Sequence, residues 1–307
     1  MQTILGSNGI IGYYVAKTLP QYTKHIRLVS RNPRKVNDSD ELFPANLLDA
    51  TQTSEAVKGS EVVYLTAGLT YNIKIWQKEW PIIMKNVIDA CRLHKAKLVF
   101  FDNVYPYGKV KGWMTEETPF NPCSKKGIVR AEIANMLLDE MKKGELDVII
   151  ARAADFYGPN TPMSFASMMI FENLAKGKAA QWLLNDKTKH SLTYTPDAGK
   201  AVAMLGNTPS AYNQTWHVPT HKDALNGKEF IELAATAYAV KPNYMVVRNW
   251  LLTILGWFMP VIKESKEMMY QMEDDYLFSS EKFEKAFGFE PTSYRMGIVE
   301  TAKSYAK

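Results

Sequence analysis

Lys126 and Arg130 stand four residues apart in "KGIVR", with Glu132 close behind. Four residues is about one helical turn, so the two cations fall on one face of a helix. Such a pair can be a solvated basic face, a grip on a phosphate, or the remains of an acid–base device. An arginine there can hold a ligand hydroxyl, but with a pKa above about 12 it cannot relay a proton. A lysine can, where burial and a neighbouring cation bring its pKa toward neutrality. The plainer alternatives are a solvated lysine at a helix start and an arginine paired with a nearby carboxylate.

A second group of residues lies at the N-terminus. "ILGSNGIIGYYVAKTL" places Gly6, Gly9 and Gly12 after a short apolar run and at the head of a helical pattern. Glycines so spaced let the chain turn tightly, let backbone amides approach a pyrophosphate, and let helix and strand pack closely. The helix N-terminus adds unpaired N–H groups and a positive dipole. In this strand–turn–helix context the glycines predict a dinucleotide site. A cofactor without a 2′-phosphate wants an acid at the end of the second strand, about 20 residues on. "LVSRNPRK" offers Ser30, Arg31 and Asn32 instead, and a guanidinium can bind a phosphate bidentately. The expected cofactor is therefore NADP. NAD is the alternative should Arg31 be only a solvated loop residue.

These residues need a scaffold, and the chain supplies its pattern. "QTIL" (2–5), "HIRLVS" (25–30), "ELFPAN" (41–46), "EVVYLTA" (61–67), "KLVFFDN" (97–103) and "LDVIIARA" (146–153) read as strands. Several are apolar on both faces, as in a buried parallel sheet. Helical segments at 10–20, 50–58, 73–95 and 125–143 lie between them. The alternation predicts an α/β fold, a doubly wound parallel sheet with helices on both faces. From about residue 160 the rhythm changes to a helix, a strand "HSLTYT", a helix "PDAGKAVAML", a strand "TWHVPT" and a helix at 226–239. The expected division is a dinucleotide-binding Rossmann domain over 1–160, with 189–206 returning to it. Residues 161–307 would form a smaller, partly interleaved substrate lobe.

Composition narrows the class. The 307 residues are 46% apolar and 22% charged, which is ordinary for a soluble enzyme. Two cysteines, Cys91 and Cys123, argue against a disulfide framework. No charged leader precedes the first strand, so a cytoplasmic location is expected. The net charge of +5 comes from scattered lysines. It suits a phosphate-bearing small molecule rather than a nucleic acid. The most apolar run, "WLLTILGWFMPVI" (250–262), is broken by Gly256 and Pro260 and is too short for a membrane span. It is expected to be a buried helix or, with Met268, Met269, Tyr270 and Met272, the wall of an apolar pocket. Five histidines show no ligand spacing, so no metal is expected. A homodimer is left open.

The order of landmarks resembles the extended short-chain dehydrogenase/reductases, the NAD(P)-dependent epimerase/dehydratase group. "GSNGIIG", "ANLLDA", "TAGL", "VYPYG", "RAADFYGPN", "YTPDAGKAV" and "FGFEPTSYRMGI" carry the resemblance over nearly the whole chain. It implies that Gly6, Asn8, Gly9, Ile10, Ile11 and Gly12 bind the pyrophosphate. It puts Asn46 and Leu47 at the adenine and Thr66, Ala67 and Gly68 beside the ribose. Tyr157 would lie along the cleft near the nicotinamide. The catalytic set departs from the family. Asn103 stands where a Ser or Thr is usual, and "KGIVR" replaces the Tyr-x-x-x-Lys run. Lys126 thus occupies the tyrosine position and Arg130 the lysine position, from which it could still hold the nicotinamide ribose. Tyr71, Tyr105 and Tyr107 follow strands at the carboxyl edge of the sheet, where ligands bind, and any of them could replace the missing proton donor. Tyr105 and Lys109 also have the Tyr-x-x-x-Lys spacing, but they enclose Pro106 and Gly108, which argue against a helical turn there.

Two readings follow. One is an NADP-dependent oxidoreductase or epimerase that moves hydride to or from a carbonyl or carbinol carbon. The other is a non-catalytic NADP-binding sensor or scaffold that kept the glycine turn and lost its acid–base pair. Nucleotide-sugar recognition would need basic contacts in the second lobe, for which Arg248 and Arg295 are candidates.

Overall fold

The computed structural model describes residues 1–306. Two compact units are built from alternating stretches of the chain. The first comprises Met1–Pro106, Lys126–Arg152 and Ala198–Val218; the second takes Tyr107–Lys125, Ala153–Asp197 and the described chain from Pro219 onward.

The first unit is built on a seven-stranded parallel sheet. Its strands are β1 (Gln2–Leu5), β2 (Ile26–Ser30), β3 (Glu41–Pro44), β4 (Val62–Leu65), β5 (Lys97–Asn103), β6 (Val148–Ala153) and β7 (Gln214–His217). Across the sheet they run 7-6-5-4-1-2-3. β1 pairs with β2 on one side (Gln2↔Ile26) and β4 on the other (Gln2↔Val62), both parallel. Successive strands are added outward from β1 in opposite directions, so the switch point falls between β1 and β4. In doubly wound sheets the ligand crevice opens beyond the carboxyl ends at such a point. This is a Rossmann sheet.

Helices α1 (Ile10–Thr18), α2 (Ala50–Val57), α3 (Ile73–His94), α4 (Lys125–Lys143) and α5 (Thr195–Gly206) accompany it. Local chemistry fixes their starts. Asp49 accepts from Gln52 N to cap α2, and Asn72 accepts from Lys74 N and Ile75 N to cap α3. Along α3 the buried Trp76, Trp80, Ile83, Met84, Val87 and Cys91 recur at helical spacing and join Leu65, Leu98 and Phe100 in the core. After β5 the chain makes a short 3-10 turn, Tyr105–Tyr107, that stops before Gly108. Pro106 fits because the first turn of a helix leaves its N–H groups unused anyway.

The second unit has its own core, built around Tyr157, Trp182, Tyr194, Phe230 and Tyr294. Its longer helices are α6 (Gly227–Ala237), α7 (Asn249–Phe258) and α8 (Tyr294–Tyr305). Asn226 and Glu229 close a capping box at the start of α6. Tyr157 is buried in this aromatic cluster, stacked on Tyr294 at 5.6 Å, and a Cβ on Gly297 of α8 would lie 2.4 Å from its hydroxyl. Burial raises the Tyr157 phenol well above its ordinary pKa. Tyr157 is therefore a packing residue of this core.

Candidate active site

β1 ends at Leu5 and the chain turns at Gly6, whose φ of +89° favours glycine. A Cβ there would sit 2.3 Å from Ala67 Cα, so the turn lies directly against the segment after β4. Gly6 N and Ser7 N donate to Val29 O, and Thr66 N donates to Leu5 O at 2.9 Å, tying the turn to β2 and β4. Gly12 is needed for packing, since a Cβ would meet Gly6 O, Ser7 Cα and Thr66 Oγ1 at 2.9 Å.

Gly9 is different. It is exposed, its φ of −74° suits any residue, and an added Cβ would find only Gly6 O at 3.4 Å and Thr66 O at 3.7 Å. Nothing within the chain demands a glycine at the mouth of α1. The small residue leaves room for a group from outside, and no side chain caps the α1 N-terminus. The amides of Ile10, Ile11 and Gly12 open the helix there, so the cradle fits a pyrophosphate. Asn8 Nδ2 donates to Asn32 O at 2.7 Å, which fastens the loop after β2 to the glycine turn. Arg31 and Asn32 are exposed beside it. Asn46 is exposed after β3, its Oδ1 accepting from Leu48 N, and Leu47 packs partly against the core. Thr66 is buried at the end of β4, while Gly68 is exposed. The turn, the loop after β2 and the segments after β3 and β4 thus all follow the carboxyl ends of their strands.

The "KGIVR" pair lies on the inward face of α4, and neither residue is solvated: Lys126 is 0% and Arg130 4% exposed. Arg130 is committed to the core. Its Nε donates to Asp102 Oδ1 at 2.9 Å, its Nη2 donates to the same oxygen, and its guanidinium lies 4.8 Å from the Trp80 ring and 4.9 Å from Phe100. Asp102 also accepts from Arg152 on β6, at 3.1 Å from Nε and 2.9 Å from Nη2. One buried carboxylate thus serves two buried guanidiniums. Arg130 thus has the carboxylate partner that the plainer alternative expects.

Lys126 does something else. Its ammonium lies 4.6 Å over the ring of Tyr71, and the Tyr71 hydroxyl is 3.4 Å from that of Tyr105. Trp76 backs both rings, edge-on to Tyr71 at 5.6 Å and stacked with Tyr105 at 6.4 Å. A cation and two phenols therefore meet beyond the ends of β4 and β5. Asn103 holds the local backbone, its Oδ1 accepting from Tyr105 N at 3.1 Å. Tyr107 is fully buried in the second unit, 6.0 Å from Phe120. Sequence reasoning missed the pairing of Asp102 with Arg152. The available signal was an acid and a base each standing in a strand that is otherwise apolar.

Fold and turn together define the class. The chain matches the NAD dependent epimerase/dehydratase family over residues 3–218 and belongs to that family. It is similar to the uncharacterized UDP-glucose epimerase YtcB of Bacillus subtilis (strain 168), 21% identical over 238 residues that cover 70% of this chain and 75% of that one. Among solved structures it is similar to the UDP-glucose 4-epimerase of Thermus thermophilus in complex with NAD, with a TM-score of 0.80, 17% identity and 99% of each chain covered. The UDP-glucuronic acid 4-epimerase of Bacillus cereus in complex with NAD gives 0.80 and 15%, covering 99% of this chain and 98% of that one.

Proposed function

We propose that the protein binds a nicotinamide dinucleotide and catalyses an oxidoreduction or epimerisation at a carbinol or carbonyl carbon of a small molecule, with a nucleotide-activated sugar as the first class to test. The observation that carries this reading is Gly9, a glycine required by nothing inside the chain at the mouth of an uncapped helix. When bound, the nicotinamide accepts or supplies hydride. The chain's own part is to hold the pyrophosphate on the amides of residues 10–12 and to move a proton near the reacting carbon. In place of the family tyrosine we assign the proton to the Tyr71–Tyr105 pair, with the Lys126 ammonium held over the Tyr71 ring. Arg31, exposed and with no acid at the end of β2, supports a preference for NADP over NAD. The two solved neighbours above, both in complex with NAD, make the comparison of the two cofactors the first measurement.

Calorimetric titration of wild type should give tighter binding of NADP(H) than of NAD(H), and Arg31→Asp should reverse the order. Gly9→Val should weaken both by at least about tenfold, or about 1.4 kcal/mol, with an unchanged circular-dichroism spectrum. Retained binding in Gly9→Val would move the site elsewhere, and equal affinities in wild type would remove the NADP preference. The burial of Arg130 and the loss of the family tyrosine favour a second reading, a cofactor-binding sensor. That reading takes over if NADPH binds and no nucleotide sugar or carbonyl compound ever exchanges hydride with it.

A further inference from the structure

The apolar run that the sequence places in a core or pocket wall is turned outward. In α7, Trp250 is 64%, Trp257 77% and Phe258 78% exposed, with Ile254 and the following Met259 exposed beside them. At about 100° per residue, positions 250, 254, 257 and 258 share roughly 100° of arc. Leu252 and Gly256, on the opposite side, are buried, and Leu251 packs against the core of the second unit. The helix is thus apolar on both faces, and among the described residues only one face has a partner.

Along the chain on either side of it, the exposed charges from residue 240 to 266 have one sign. They are Lys241, Arg248, Lys263 and Lys266, all basic, while the acid in that stretch, Glu264, is half-buried. Arg248 stands at the start of α7, and Lys266 Nζ donates to Thr253 Oγ1 at 3.0 Å, which holds its cation beside the helix. No helix among the described residues is long and apolar enough to cross a membrane. A short helix with Trp and Phe outward and a basic rim suits the plane of a lipid interface instead. A second copy of the chain meeting this face about a two-fold axis would bring the same cationic rim against itself. The charge pattern therefore favours an anionic surface.

We propose that the outward face of α7 docks on an anionic lipid bilayer, with Trp250, Trp257 and Phe258 entering the headgroup region and Arg248, Lys263 and Lys266 meeting lipid phosphates. Vesicle co-sedimentation tests it, using phosphatidylcholine alone and an equal mixture with phosphatidylglycerol. Wild type should pellet with the mixed vesicles and much less with the neutral ones, and added salt should weaken the binding. Trp257→Ser with Phe258→Ser should lower partitioning by at least about tenfold, as should Lys263→Glu with Lys266→Glu. Both variants should keep wild-type dinucleotide affinity, which checks that they are folded. Failure to pellet with anionic vesicles would overturn the proposal. A dimer in light scattering that Trp257→Ser with Phe258→Ser dissolves, without vesicle binding, would assign the face to a second copy.

Discussion

Tyr71, Tyr105 and Lys126 are the residues on which the proposed chemistry turns. On that proposal the cation is Lys126, and the phenols come from the segments that follow β4 and β5. Tyr71→Phe and Tyr105→Phe remove one hydroxyl each and leave the rings packed on Trp76. Loss of the proton-carrying phenol should cut the chemical step by roughly 10²–10⁴-fold and spare cofactor affinity. Single-turnover hydride transfer followed by cofactor absorbance measures it. Unchanged rates in both variants would remove the phenols from the mechanism. Of this site the glycine turn was legible in the sequence, because its function rests on backbone shape and local order. The Lys126–Tyr71 contact was not, since it joins residues 55 apart that only the folding of α4 over the sheet edge brings together.

At the scale of elements, the Asp102 carboxylate ties α4 and β6 to β5, and that tie is what the "KGIVR" arginine maintains. Removing Arg130 leaves Asp102 compensated by Arg152 and takes away hydrogen bonds to a charged group, worth about 1.5–3 kcal/mol. Arg130→Ala should lose that much stability in urea unfolding. A loss below about 1 kcal/mol, together with weakened dinucleotide binding, would return Arg130 to the ligand. The strands and helices of the first unit were readable because buried parallel strands are short apolar runs and the helices between them are periodic. α7 was misread for a physical reason. A helix apolar on every side gives no periodicity from which to tell an inward face from an outward one, and a partner outside the chain leaves no mark on hydropathy.

Across the whole molecule, burial raises the phenols of Tyr64, Tyr157, Tyr276 and Tyr294 above their ordinary value near 10. Below about pH 10 both folded and unfolded chains keep these protons, so the four residues add no slope to stability. Above it the unfolded chain releases protons that the native chain retains, and stability falls as pH rises. Urea midpoints should be flat from about pH 8 to 9.5 and drop between about pH 10 and 11; a midpoint that stays constant through that range would contradict the assignment. The winding of the chain between its two units bears on how the protein is made. β6 receives its outer neighbour, β7, in a parallel register that begins at Ile149↔Gln214 and ends at Arg152↔His217. At roughly 5–20 residues per second on a ribosome, the intervening 65 residues (214 − 149) take about 3–13 seconds to emerge. For that interval the apolar β6 is a nascent sheet edge with bare N–H and C=O groups, the kind of edge that recruits other chains. Slower translation between the two strands should lengthen that exposure and lower the yield of folded protein.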